Sequence, residues 1–382
     1  MALSKRDKNK TDIRLLLDAV CLLAALLILP AAARAEGEDA GPDIAAAAAE
    51  AAAALDGHIE SMQDRYCVYY TADEYRMMYQ EYAGTFGGVG ISMIQDEENY
   101  IAIYKVLDMG PAKDSPLKAG DRIVAVDGEN IVGMDTDQAA LRIRGDIGTD
   151  VTLTVLTEAG ERYDVTLTRQ EITTQSLEGK RIDGQDNAAY ILIYSFTGQT
   201  AREFGEEYNR LRKEGPIDWL ILDLRSNVGG NFYAALSVAE MFVPAGEVIV
   251  REKMAEGSTA YTSSSGMLRD IRLVVLENEW TASASEVLAG ALRDEAGATL
   301  IGTTSYGKGL TQVLEELPSG GCWKHTHSRY YTPSGFDLHG VGLAPDIEVQ
   351  PPEGISNEDY FSTDPDKDPH LKAALDLIRS QV

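Results

Sequence analysis

The sequence predicts an α/β core, preceded by a smaller antiparallel β domain and a helical N-terminal segment. Three observations carry this. From Ala188 onward, short apolar runs alternate with stretches of helical spacing, the pattern of strands and helices packed in layers. Between residues 86 and 170, strand-like runs are separated by Gly and Asp-Gly turn signals, with one short helix among them. Before that, residues 44–55 are mostly alanine and residues 55–82 keep helical patterning with many aromatics.

The N-terminus is distinct from all of this. Lys5, Arg6, Lys8, Lys10 and Arg14 precede an apolar run from Leu15 to Ala33 that ends in Ala33-Arg34-Ala35. A charged region, a hydrophobic region and an A-x-A-like site together read as an export signal. The run nearly reaches spanning length, so residues 1–35 are either a cleaved signal peptide or a retained membrane anchor. Both readings place the body of the protein outside the cytoplasm, secreted, in the cell envelope or anchored there. Net charge supports a soluble body: the 382 residues carry −27, and residues 1–35 contribute +3 of their own. Such acidity argues against nucleic acid as a partner. Apart from Cys21 in the apolar run, only Cys67 and Cys322 occur, too few for a disulfide framework, and whether they pair is left open.

The elements follow in order. Thr71 with Glu74 is a capping box that starts a helix at Tyr70 or Thr71. A strand is expected over Tyr100–Leu107, then a strand and Asp-Gly turn in SPLKAGDRIVAVDG. A helix near Thr136–Arg144 closes at Gly145. Val151–Leu156 and Tyr163–Thr168 alternate around Glu158-Ala-Gly160 as a hairpin. In the core, Ala188–Phe196 reads as a strand, and Thr200 with Glu203 as the cap of a helix carrying Phe204, Tyr208 and Leu211. Trp219–Leu224 is a continuous apolar run broken only by Asp223, a central strand. His370–Ile378 is a short amphipathic helix after a polar tail.

The chemistry concentrates in Thr281–Gln312, TASASEVLAGALRDEAGATLIGTTSYGKGLTQ. Ser283 followed by Glu286 is a second capping box, so a helix opens at Ser283 or beside it. The free N–H of Ala284 at such a helix mouth suits a developing oxyanion. Lys308 sits between two glycines, which implies backbone pressed against a neighbour rather than a solvated surface lysine. Gln312 lies on the same face of a strand-like run and can hold an amine without adding charge. Nucleophile, general base and orienter are thus all present.

These residues resemble the carboxyl-terminal processing peptidases, a family of Ser/Lys serine peptidases, whose nucleophile falls on Ser283, base on Lys308 and third member on Gln312. The resemblance implies a crotonase-like α/β core over 171–352 and a helical lead-in over 36–85, often involved in dimer contacts. It makes 86–170 a PDZ domain and leaves 353–382 as a polar tail with a C-terminal helix. Phe86-Gly-Gly-Val-Gly-Ile91 resembles the PDZ carboxylate-binding loop, so Gly87, Gly88, Val89, Gly90 and Ile91 would hold a peptide's free C-terminus, with Arg144 a charge that reports its capture. Leu224-Arg-Ser-Asn-Val-Gly-Gly230 resembles the loop whose glycine N–H completes the oxyanion hole, here Gly229 or Gly230. Val228 stands where that family usually has proline, which would loosen the loop. The implied activity is a serine endopeptidase acting near a free C-terminus on protein or peptide substrates, with no metal and no organic cofactor.

Four rival readings are weaker. No G-x-S-x-G surrounds Ser283, and Ser305-x-x-Lys308 lacks the helical context and companion motifs of penicillin-binding enzymes. His325 and His327 alternate on a strand but bring no further metal ligand. An exported PDZ scaffold with an inert peptidase-like domain is the non-enzymatic alternative.

Overall fold

The computed structural model describes residues 64, 66–96, 98–134, 136–157, 159–317, 320–351 and 364–381. The N-terminal charged and apolar run and the alanine-rich stretch lie outside them. Among the described residues no helix is long and apolar enough to cross a membrane. The chain divides into two compact units, residues 1–76 with 311–328, and residues 77–310 with 329–382.

In the smaller unit a strand precedes the helix expected to start at Tyr70 or Thr71. Val68–Tyr70 is a strand, antiparallel to Cys322–Tyr331 with Tyr70 opposite Cys322. A Val-Tyr-Tyr run favours a pleated, half-buried surface, and that local preference wins over the helical spacing on either side. Helix α1 (Ala72–Ala83) then begins one residue after Thr71. Its capping box forms: Thr71 N–H donates to Glu74 Oε2 at 2.8 Å, and Glu74 N–H to Thr71 Oγ1 at 3.3 Å. Leu310–Glu316 is a strand that pairs with the same Cys322–Tyr331 strand. Cys67 and Cys322 are both buried and unbridged. His325 contacts Glu315 at 3.3 Å.

The larger unit contains two hydrophobic cores of the domain type. The first belongs to a five-strand antiparallel path, Ile91–Gln95, Ile101–Val106, Arg122–Val126, Asp150–Leu156 and Arg162–Thr168. Helix α2 (Thr136–Ile143) packs Ala139 and Ile143 into it, beside Ile101, Ile103, Ile123 and Leu153. The expected hairpin is present, Asp150–Leu156 paired with Arg162–Thr168 in unbroken register.

The second core surrounds a six-stranded sheet in the order Leu177–Ile182, Gln185–Ile193, Trp219–Asp223, Arg272–Glu277, Thr299–Gly302, Ile347–Glu348. All strands after the first pair are parallel. Leu273 and Val275 point to one face, Val274 and Leu276 to the other, the period of two that a doubly covered strand requires. Helices α3 (Thr200–Glu214), α4 (Phe232–Phe242) and α5 (Ala284–Ala296) cover the first face. Helix α6 (Pro369–Ser380) covers the second through Leu371, Ala374, Leu375 and Ile378, each large side chain worth roughly 1.5–3 kcal/mol when fully buried. The capping box expected for α3 does not form. Thr200 is already helical, and Glu203 turns away to accept from Ser176 N–H at 2.9 Å and Ser176 Oγ at 2.7 Å.

The central strand ends on Glu277, opposite Gly302. Glu277 is fully buried, and neither carboxylate oxygen has a partner among the described residues. Burial therefore drives its pKa well above the ordinary 4.5. The contribution of this group to stability is fully present below about pH 4.5 and is lost as pH rises toward the raised folded value. Glu277→Leu should accordingly stabilise the protein at neutral pH by about 1–3 kcal/mol, and less at pH 5. Urea unfolding of both proteins across that range checks it. A gain independent of pH would mean that Glu277 is not buried as a neutral acid.

Candidate active site

Three neighbouring parallel strands end on one side of the core sheet, and the loops after them carry the predicted chemistry, the usual place for a site in an open α/β sheet. Ser226–Asn231 follows Trp219–Asp223, Asn278–Ser283 follows Arg272–Glu277, and Thr303–Gly309 follows Thr299–Gly302.

Ser283 is the N-cap of α5 and has φ 58°, ψ −118°, a left-handed conformation uncommon for a residue with a side chain. The capping box expected from Ser283 and Glu286 is present, with Ser283 N–H donating to the Glu286 carboxyl at 2.8 Å. Glu286 N–H also donates to the Ser283 carbonyl at 2.9 Å. Ser283 is thus held at a sharp turn at the mouth of the helix. Ser285 is different: it is fully buried and its Oγ donates to the Asn227 carbonyl at 2.9 Å. That is a structural hydroxyl.

Glu286 does more than its capping role predicted. Its Oε2 accepts from Ser283 N–H and from Lys308 N–H, both at 2.8 Å. Its Oε1 accepts from Gly307 N–H at 2.7 Å and from Ser305 Oγ at 2.5 Å. One buried carboxyl therefore fastens the Lys308 loop to the Ser283 turn. Burial raises its pKa, while the four donors pull the other way, and the net direction is upward. The glycines around Lys308 are needed, as expected from close approach. A Cβ on Gly307 (φ 85°) would lie 2.8 Å from Gly342 N, and one on Gly309 would lie 2.9 Å from His339 Cβ. Gln312 is half-buried on the strand Leu310–Glu316, in the smaller unit.

Of the two loop glycines, Gly229 abuts the Ser283 turn. A Cβ placed on it would be 2.9 Å from both Ala284 N and Ser283 Cβ. Its N–H is donated to Asn227 Oδ1 at 2.9 Å. Gly230 lies against the Phe196 backbone. Ala284 is the first residue of α5, so its N–H has no partner in the helical ladder. The loop is tied down despite Val228, because the buried Asn227 anchors it. Asn227 Nδ2 donates to Ile193 O at 2.8 Å, and its carbonyl accepts Ala282 N–H at 3.0 Å.

Sequence reasoning missed the strut behind this loop. Arg225 is buried between two carboxylates, with Nε 3.0 Å from Asp223 Oδ1 and Nη2 2.7 Å from Asp368 Oδ2. Asp368 also caps α6, accepting from His370 N–H at 2.9 Å. A charged pair at 143 residues' separation leaves no local pattern to read.

In the antiparallel domain, Gly87 and Gly88 lie on a strand, Thr85–Gly88, paired with Gln170–Thr173. Phe86, Gly88, Val89, Gly90 and Ile91 line a small concavity with Ile143 and Arg144. The Arg144 guanidinium stacks over the Phe86 ring at 4.0 Å.

Residues 187–349 match the family model of Peptidase family S41, and residues 79–156 that of the PDZ domain. A carboxyl-terminal-processing protease of Synechocystis sp. is 35% identical over 303 residues, covering 78% of this chain and 70% of that protein. A probable CtpA-like serine protease of Staphylococcus haemolyticus is 33% identical over 304 residues. This chain is covered to 79% in that match but spans only 60% of the staphylococcal protein's length. Among solved structures, the photosystem II D1 C-terminal processing protease aligns over 86% of both chains with 27% identity and a TM-score of 0.49. By its sequence, then, the chain belongs to the carboxyl-terminal-processing proteases of peptidase family S41.

Proposed function

We propose that the protein is a serine endopeptidase that cleaves proteins or peptides near a free C-terminus, outside the cytoplasm. The observation that carries this reading is the Glu286 carboxyl, which joins the Ser283 turn and the Lys308 loop at 2.8 Å each. Ser283 Oγ attacks the scissile carbonyl as Lys308 Nζ takes its proton. The amine later returns that proton to the leaving nitrogen, and Gln312 orients it. The N–H groups of Ala284 and of Gly229 or Gly230 receive the oxyanion. For Gly229 this requires its N–H to leave Asn227. The chemistry needs no metal and no organic cofactor.

Val228, Trp280, Tyr306 and Val341 are exposed apolar side chains on or beside these loops, a surface suited to an unfolded chain. The core is read as crotonase-like. The segment 1–35 directs export, as a cleaved signal or an anchor, and the lead-in before the PDZ domain is the place for a homodimer contact. The PDZ groove at Gly87–Ile91 holds the substrate's terminal carboxylate, with Arg144 reporting its capture.

Paired peptides of one sequence, one ending in a free acid and one in an amide, test the reading. The acid peptide should be cleaved severalfold faster, since the amide removes the charge that backbone N–H groups hold. Equal rates would remove the capture step. No cleavage of either by the wild-type protein would favour the inert scaffold.

A further inference from the structure

Tyr330 lies near the end of the long strand Cys322–Tyr331 and is 1% exposed. A phenol that deep needs a polar partner. Its N–H donates to Gly309 O at 3.1 Å, which places the ring beside the Lys308 loop. Its hydroxyl faces two carbonyls at once, Ser283 O at 3.0 Å and Lys308 O. A phenol has one proton to give, so the two oxygens share it.

The two carbonyls belong to the same two residues whose N–H groups converge on Glu286 Oε2. The peptide groups of nucleophile and base are therefore bracketed from both ends, by a carboxyl collecting N–H groups and by a hydroxyl serving C=O groups. Glu286 acts from within the nucleophile's own helix, whereas Tyr330 comes from a separate strand. Without the shared proton, two carbonyl dipoles would point at one spot and repel. The Lys308 loop is the side free to yield, since it is held by hydrogen bonds rather than by the helix.

We infer that Tyr330 is a positioning residue for the Ser283/Lys308 pair, its hydroxyl fixing the separation of the two backbones and hence of Oγ and Nζ. This rests on the Ser/Lys reading of the site. Tyr330 neither touches substrate nor exchanges its proton during the reaction.

The test compares Tyr330→Phe, Tyr330 replaced by 4-aminophenylalanine, and Ser283→Ala, all in the full chain. Three quantities are measured: kcat and KM on an unstructured peptide, the rate at which a fluorophosphonate labels Ser283 by intact mass, and the thermal unfolding midpoint. Tyr330→Phe should lower kcat and the labelling rate by about tenfold or more, with KM unchanged within about twofold, since only the placement of the base is disturbed. The 4-amino side chain restores an N–H donor and should recover most of the rate. Should Tyr330→Phe lower the unfolding midpoint, the comparison of the two variants still reads the donor. If Tyr330→Phe keeps wild-type kcat while Ser283→Ala is dead, the positioning role is overturned and the Ser/Lys reading stands. A 4-aminophenylalanine protein as slow as Tyr330→Phe also overturns it. Activity surviving in Ser283→Ala would instead bring down the underlying reading.

Discussion

Ser283→Ala will abolish peptide cleavage, by on the order of a thousandfold or more, and leave the fold intact. Losing the side chain of this helix N-cap costs only about 1 kcal/mol, so the fold survives it. Ser285→Ala should show the reverse pattern. Its buried Oγ holds the Asn227 carbonyl, so about 1–2 kcal/mol of stability goes while turnover persists. Lys308→Arg should be as inactive as Ser283→Ala, because a guanidinium does not give up its proton at working pH. Cleavage assays beside thermal melts separate these outcomes. An active Ser283→Ala protein, or a dead Ser285→Ala protein with a normal melting curve, would move the nucleophile elsewhere.

The largest loss of stability is expected from Arg225→Leu. The substitution leaves the carboxylates of Asp223 and Asp368 buried and facing one another, and breaking a buried pair from one side costs about 3–5 kcal/mol. Tyr190, a neutral phenol donating to Asp223 Oδ2 at 2.6 Å, offsets only part of that cost. Asp368→Asn should cost less, since Arg225 keeps its Asp223 partner. Urea midpoints for the two variants check the order. Activity should fall in both, because Arg225 opens the loop that carries Asn227, Gly229 and Gly230. A cost below about 1 kcal/mol for Arg225→Leu would mean that solvent reaches the cluster.

Much of this was legible in local pattern. The strand periodicity of the core, the hairpin of the smaller domain, the helix mouth at Ser283 and the crowded glycines beside Lys308 all declare themselves within a dozen residues. What was missed lies at longer range. Glu286 looked like a cap, and nothing near it announced that the same carboxyl would reach Lys308. Glu203 looked like a cap and was recruited by Ser176, because a buried backbone N–H with a hydroxyl beside it competes better than a helix end. Val228 suggested a slack loop, while the restraint comes from Asn227 one residue earlier. Val68–Tyr70 became a strand because a partner from beyond residue 320 was available to it. Asp368 had no sequence signal beyond being a polar residue before a helix.

The Arg225–Asp368 strut also sets an order of events during synthesis. Arg225 leaves the ribosome 143 residues before the carboxylate that completes its pairing. Until then Arg225 and Asp223 sit at the root of the Ser226–Asn231 loop without the Asp368 carboxylate, and burying them so is costly. The sheet can assemble early, but this corner of it settles only when α6 docks. A growing chain therefore carries Ser283 before Asp368 is available to complete the corner beneath Gly229 and Gly230.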